Sequence, residues 1–334
     1  MQIAILTPTF NYYSGIDRVV QLQVEDYVKQ GNKVTIIALE ATIKPKGYEI
    51  IILGMPKNSF LQRMYRLFFF LDFKKMGYYK KLKNFDVVIS HFYPMNWFAY
   101  IAKKHYRIKY IYHNHGINTT GLINNISQRL YMKLFLFFNN ITLKNVDKAF
   151  SVSNYLREEL KKESKLDSKV VYNKIDKKRF NKNVKGDKII KRYNLKNKKI
   201  LLYVGRIAPH KGIHLLLKSF NIIKKQIPNS KLIIAGKPTF NKYFKKLKKI
   251  ASKDVIFTGF VDDKDLPYYY AACDVYVTAS LWEGFNLPAG ESQACNKPVV
   301  AFKIGSHPEI IKKGILVKEN DIHGLANAVI KLLK

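Results

Sequence analysis

Acidic side chains are scarce in this chain. Against 59 Lys and Arg stand 24 Asp and Glu in 334 residues, leaving a formal net charge of +35. Little on such a surface repels a polyanion, so anionic membrane, nucleic acid and phosphorylated ligands are the expected partner classes. Cysteine is nearly absent as well. Cys273 and Cys295 lack metal-ligand spacing and are too few for a disulfide framework, which points to a reducing, cytoplasmic setting. Long apolar runs are missing too. "LFFFL" and "LFLFF" fall far short of the ~20 residues that cross a bilayer. The first residues, "MQIAILTPTF", have no basic stretch before their apolar run and read as a strand, not a signal peptide. The expectation is a soluble or peripheral protein.

What is present is a steady alternation. Short runs rich in Ile and Val ("IAIL", "KVTIIA", "YEIIIL", "DVVIS", "KYIYH", "KAFSVS", "KVVYN") are separated by segments of helical period. That pattern predicts βαβ units on a parallel sheet. It lapses between Lys174 and Lys199 into polar, Lys/Asn-rich sequence and then restarts with "KILLYVG", "KLIIAG", "VIFTGF", "DVYVTAS", "PVVAF" and "GILVK". The fold class expected is α/β, with two Rossmann-like βαβ domains, residues 1–183 and 184–334, facing each other across a cleft. Ligands of such folds bind outside the carboxyl ends of the strands.

Those ends carry the polar chemistry. Gly15 follows the first strand, His91 the fourth, and His113 and His115 the fifth. In the second half Arg206, His210 and Lys211 follow the first strand, and "EGFNLPAGE", Glu283 to Glu291, follows the fourth. A guanidinium and an ammonium on a loop entering a helix suit a diphosphate. The rival reading for Arg206 and Lys211 taken alone is two solvated surface cations. Carboxylates are poor phosphate neighbours but good acceptors for sugar hydroxyls. Glu283 before the turn and Glu291 one turn into the helix can grip hydroxyls on either side of an anion held by that turn. A solvated helix-start carboxylate would explain Glu291 but not the pair.

With "SGIDRVV", "VSNYLREEL", "LLYVGRIAPHKG", "LWEGFNLPAGESQA" and "KPVVAFKIGSHPEII" in place, the chain resembles the retaining GT-B glycosyltransferases of family four (glycosyl transferases group 1), over nearly its whole length. The resemblance implies a nucleotide-diphosphate sugar as co-substrate, with no other cofactor and no metal. It implies that Glu291 holds the ribose hydroxyls and Glu283 the donor sugar, and that Arg206 and Lys211 neutralise the diphosphate. Phe285, Asn286 and Leu287 would offer backbone contacts, and Gly15 would admit a close approach by the first loop. His115 would orient the donor, while His91 and His113 are weaker candidates whose rival role is packing. The first-loop pair is Ser14-Gly15 where the family has two glycines. Relatives also continue beyond "HGLANAVIKLLK" into helices that cross back onto the first domain. The leaving diphosphate would be stabilised electrostatically, with attack from the face it leaves.

Two further expectations concern surroundings. Asp263-Lys264-Asp265 imitates a metal-binding Asp-x-Asp, but it precedes a helix, so an N-cap role for Asp263 or Asp265 is expected. In "NSFLQRMYRLFFFLDFKKMGYYKKLK", a continuous helix would turn Phe60, Leu61, Met64, Leu67, Phe68 and Leu71 to the core and Phe69, Phe70 and Phe73 outward among Arg63, Arg66 and Lys74. Outward aromatics ringed by cations suit an anionic membrane surface and a lipid-linked or glycan acceptor. The rival for these phenylalanines is a neighbouring loop or a second subunit. The alternatives are the same fold acting on a soluble or a nucleic-acid acceptor, the latter without support from any aromatic-interleaved basic motif, and a nucleotide-sugar epimerase of similar architecture.

Overall fold

A computed structural model describes residues 1–11, 15–116 and 126–334. The chain divides into two compact units, Met1–Lys174 and Ile175–Lys334, so the division falls at the start of the polar stretch. Each unit is built on one parallel sheet, as the alternation of strand and helix requires.

The first sheet uses β1 (Gln2–Phe10), β2 (Lys33–Ala41), β3 (Glu49–Ile52), β4 (Val87–Ser90), β5 (Lys109–Asn114), β6 (Lys148–Ser151) and β7 (Lys169–Val170), in the order β3-β2-β1-β4-β5-β6-β7. Alternate side chains of a strand leave opposite faces. Ile3 and Ile5 of β1 therefore join one buried cluster, and Ala4 and Leu6 join another. Register follows, with Ile5 opposite Ile36 of β2 and Ile89 of β4.

The second sheet uses β8 (Lys199–Val204), β9 (Ser230–Ala235), β10 (Val255–Gly259), β11 (Val275–Thr278), β12 (Val299–Phe302) and β13 (Gly314–Val317), ordered β10-β9-β8-β11-β12-β13. The same alternation recurs, with Leu201 and Tyr203 on one face and Ile200 and Leu202 on the other. The helix Ile213–Gln226 covers the first face with Ile213, Leu216, Leu217, Phe220 and Ile223, all buried at helical spacing. Full burial of a side chain such as Phe220 stabilises by about 1.5–3 kcal/mol.

In both sheets the strand order reverses next to the first strand of the unit, between β1 and β4 and between β8 and β11. Chains diverge at such switch points and leave a crevice at the carboxyl ends. The loops that follow β1, β4, β8 and β11 carry most of the polar residues singled out above.

One expected face is inverted. The helix starting at Ser59 ends at Leu67; Phe68 leaves helical geometry, and Phe69–Leu71 form a 3-10 turn. That break resets the angular period. Phe60, Leu61 and Met64, on the unbroken helix before it, are exposed, as is Leu71 after it, while Phe69 is wholly buried edge-on against Phe98, with ring centroids 5.4 Å apart. Phe70 is half-buried against Trp97 and Phe138. Of the three aromatics expected to face outward, Phe73 alone is exposed. Asp265 stands at the expected N-cap position of the helix Leu266–Ala272, although its side chain makes no capping hydrogen bond. Asp263 pairs with Arg179 at 2.7 Å and Asp265 with Lys188 at 2.7 Å, because each 3-10 turn carboxylate has a cation of the preceding segment beside it.

Candidate functional site

In the second unit the loops after β8 and β11 are locked together. Leu281 N donates to His210 O at 2.8 Å. Gly212 lies at φ 62°, and a Cβ there would collide with the Ala279 carbonyl, so the loop after β8 can pass this close to the loop after β11 only with glycine. The approach delivers Lys211 Nζ to Glu283 Oε1 at 2.8 Å. Ser280 Oγ donates to the same oxygen at 2.8 Å. Burial alone would push the Glu283 carboxyl up, but Lys211, His307 and the hydrogen bonds from Lys211 and Ser280 together hold it below its ordinary value. Glu283 is therefore a carboxylate at neutral pH with both an ammonium and a hydroxyl on one oxygen. Arg206 is exposed at the start of the same loop, its backbone oxygen accepting from Tyr203 OH at 3.2 Å. Between Arg206 and Lys211 sits His210, lowered to about 4 by burial and by these two cations, and so neutral.

Asn286 opens the helix Leu287–Ala294 at φ 51°, a left-handed conformation that Asn tolerates better than most residues, and its Oδ1 accepts from Ala289 N at 3.2 Å. Its amide nitrogen is held by His307. The Nδ1 of His307 lies 2.7 Å from Phe302 O, so that nitrogen carries the proton, and Nε2 accepts from Asn286 Nδ2 at 2.8 Å. Burial lowers His307 and keeps it neutral, against the opposing pull of Glu283. The segment after β12 grips Glu283 as well, since Ser306 N donates to Glu283 O at 3.1 Å and a Cβ at Gly305 would strike that same oxygen. Phe285 is buried and Leu287 half-buried in the turn. Glu291, one turn into the helix, accepts from Tyr270 OH at 2.7 Å. Burial and the nearby Glu291 raise the Tyr270 phenol well above its usual value, so it stays a donor.

In the first unit Gly15 opens the helix Gly15–Lys29, and Ser14 lies outside the described residues. Asp17, buried in the first turn, accepts from Asn11 N at 3.0 Å and so fixes the exit of β1. The strand pairing of β4 with β5 brings three histidines into one stack. His91 lies over His113 and His115, with centroids 4.9 and 5.2 Å away, and His91 Nδ1 lies 2.9 Å from His115 Nε2. Gln23 donates to His113 Nε2 at 3.3 Å. Burial lowers His113 to about 4 and, with help from His113, lowers His115 to about 3; the same causes put His91 well below its ordinary value. All three are neutral rings at neutral pH. Asn114 shapes the turn, its Oδ1 accepting from Gly116 N at 3.0 Å and its amide donating to Ser151 and Leu156. Among the described residues, no group of three His, Cys, Asp or Glu is arranged to hold a metal ion.

The structure thus brings Lys211 and Glu283 into contact and places Asn286 beside them through His307, with Arg206 at the same loop. It joins His115 directly to His91 and, through His91, to His113. Sequence reading missed Ser280, His307, Tyr270, Asn114 and Asp17. For His307 a signal existed, the histidine inside "GSHPEII"; Ser280 and Tyr270 carry none beyond their loop and helix.

Two family profiles cover most of the chain between them: residues 13–179 match Glycosyltransferase Family 4 and residues 186–334 match Glycosyl transferases group 1. An uncharacterized glycosyltransferase of Methanocaldococcus jannaschii is 25% identical across 100% of this chain and 88% of its own length. The GDP-mannose-dependent alpha-(1-6)-phosphatidylinositol monomannoside mannosyltransferase of Mycolicibacterium smegmatis is 28% identical over 42% of this chain and 40% of that protein. A solved Anabaena protein, crystallised with UDP and glucose, superposes with a TM-score of 0.81 at 19% identity over 100% of this chain and 90% of its own, a likeness of fold. With its two parallel-sheet Rossmann-like domains and both profiles matched in order, the chain belongs to the GT-B glycosyltransferases of family four, group 1.

Proposed function

We propose that this glycosyltransferase moves a sugar from a nucleotide-diphosphate sugar to a lipid-linked glycan or polysaccharide precursor, with retention of anomeric configuration, while working as a peripheral protein on the cytoplasmic face of a membrane. The observation that carries the reading is the part-buried Lys211–Glu283 pair at 2.8 Å, flanked by Ser280 and by the Asn286-capped helix. A cation beside a carboxylate fits a ligand that is anionic on one side and hydroxylated on the other. Arg206, Lys211 and the backbone of Phe285, Asn286 and Leu287 take the diphosphate; Glu283 takes donor-sugar hydroxyls, and Glu291 takes ribose hydroxyls. The bond between the anomeric carbon and the diphosphate oxygen breaks as these cations absorb the developing charge. The acceptor hydroxyl attacks from the same face, and the departing oxygen takes its proton. In the first unit, His115 offers a neutral hydrogen-bonding ring suited to sugar hydroxyls, and Gly15 opens the helix after the first loop without a side chain. The UDP and glucose bound by the Anabaena protein, and the GDP-mannose and phosphatidylinositol mannoside in the mycobacterial relative's name, support this donor and acceptor chemistry.

A thermal-shift series with UDP, GDP and their sugar conjugates tests the donor, followed by transfer assays on a membrane fraction with chelator present. Stabilisation by one nucleotide sugar, with transfer that survives chelator and fails in Lys211→Ala, is the expected result. Full transfer by Lys211→Ala, or strict loss in chelator, overturns the proposed roles.

A further inference from the structure

The break in the helix after Leu67 leaves a surface that the core does not use. On the helix Ser59–Leu67, Phe60 is 68% and Leu61 53% exposed, with Met64 beside them. Just beyond it, Leu71 and Phe73 are also exposed, Phe73 at 78%. The helix Ile126–Thr142 adjoins this one: Tyr131 OH donates to Arg63 O at 3.2 Å, and Phe138 packs on Phe68 and Phe70. Its inner face carries Phe135, Asn139 and Thr142, all buried. Its outer stripe carries Ile126, Leu130 and Phe137, exposed at positions that share one helical face. Isolated exposed apolar residues need no explanation, but two adjoining helices that both present them do.

Charge selects the occupant. Residues 56–71 and 126–142 contain no Asp or Glu, whereas Lys57, Arg63, Arg129 and Lys133 are exposed among the apolar side chains. Lys74 extends the set. Asp72, the nearest acid in sequence, is engaged by Tyr65 at 2.9 Å and by Lys75. A second copy of the chain meeting this face across a two-fold axis would set cation against cation. Nucleic acid would satisfy the cations but leave Leu61, Met64, Ile126 and Leu130 with nothing to pack on. An anionic bilayer answers both, with headgroups for the cations and acyl boundary for the apolar tips.

We propose that the outer faces of the helices Ser59–Leu67 and Ile126–Thr142, with Leu71 and Phe73, form a docking surface for an anionic lipid bilayer. The assignment rests on the peripheral-membrane part of the function proposed above and gives it a place on the molecule. Docking there requires no spanning segment, and among the described residues no helix is long and apolar enough to cross a membrane. The surface belongs to the first unit alone.

The test is flotation of the purified full chain with two vesicle types, phosphatidylcholine alone and phosphatidylcholine with about one quarter phosphatidylglycerol. Wild type is expected to float with the anionic vesicles, less at high salt, and to stay down with the neutral ones. The triple variant Phe60→Ser, Phe73→Ser, Phe137→Ser should lose at least about tenfold in vesicle partitioning. Its thermal unfolding and its stabilisation by nucleotide should match wild type, which separates failed docking from failed folding and from a failed donor site. Equal flotation of wild type and triple variant overturns the proposal, as does no flotation of wild type. A dimer of wild type that the triple variant abolishes, without vesicle binding, would assign the face to a second copy and equally overturn it.

Discussion

The two units solve the same geometric problem with opposite electrostatics. Both present loops at a switch point beside their first strand, yet what they hold there differs. In the second unit the loop residues are charged and matched: Lys211 on Glu283, with Ser280 and His307 around them. In the first unit the ends of β4 and β5 hold three neutral imidazoles, His91 stacked on His113 and on His115, and among the described residues no carboxylate is a hydrogen-bond partner of theirs. A paired charge is a site prepared to bind charge. A stack of neutral rings offers shape and hydrogen bonds without a fixed sign. The comparison teaches that one fold can carry paired charge at the strand ends of one sheet and neutral hydrogen-bonding rings at the strand ends of another.

Breaking the charged side should give the largest effects. Lys211→Ala leaves Glu283 buried without its cation, and the expected cost is about 3–5 kcal/mol in denaturant unfolding, with transfer falling roughly 100- to 1000-fold. Adding Glu283→Gln should restore most of the stability and none of the transfer. A double variant as unstable as the single would show that the pair is not the unit at stake.

Acid sharpens the contrast next. The rings of His113, His115 and His210 have folded values lowered to about 4, 3 and 4. The unfolded chain therefore binds protons more readily than the folded one below about pH 6.5. Their neutral form supports the fold fully above that point, and the support is lost as pH falls toward the folded values, on the order of 3 kcal/mol for each such ring. Glu283 works in the same direction, but only below its ordinary value near 4.5, because its folded carboxyl is held lower still. Melting curves between pH 7 and pH 5 should thus report the histidines before any carboxylate. In His113→Phe the decline over that interval should be shallower, and an unchanged slope would remove the ring from the account.

A smaller effect is expected from His307→Leu, which deprives Asn286 of its acceptor. The expected loss is about 1–2 kcal/mol in unfolding and a weaker nucleotide-dependent thermal shift, with His307→Gln recovering part of both. Smallest of all is Phe73→Ser, within about 0.5 kcal/mol of wild type, whereas Phe69→Ala, four residues away, should cost about 3–5 kcal/mol. Similar costs at the two positions would contradict the reset of period after Leu67.

How much of this was legible beforehand follows from the range of each interaction. The seven and six apolar runs correspond to the seven and six strands, because a strand buried on both faces must be apolar along its length. The candidate residues could be named because loops at strand ends stay local in sequence, and Glu283, Asn286 and Glu291 occupy one turn and its helix. The face of residues 59–73 was misread because periodicity presumes an unbroken helix, and nothing in "RLFFFLDF" announces the 3-10 turn. The N-cap position of Asp265 is local and was legible, whereas the ion pairs of Asp263 and Asp265 were not, because Arg179 and Lys188 lie more than seventy positions earlier. The histidine stack needs β4 beside β5, and His307 matters only once β12 has set it against Asn286. Contacts of that kind exist only after the sheet has formed.

Gly212 and Gly305 carry one consequence of a different sort. Neither has a side chain to offer a ligand, yet each lets a backbone pass where a single methyl would strike a carbonyl oxygen, of Ala279 in one case and Glu283 in the other. In a saturation mutagenesis experiment scored by activity, these two positions should reject nearly every replacement and so rank with Lys211 and Glu283. A tolerance map of this protein would then mark as equally vital the ion pair itself and the empty spaces that let its partners meet.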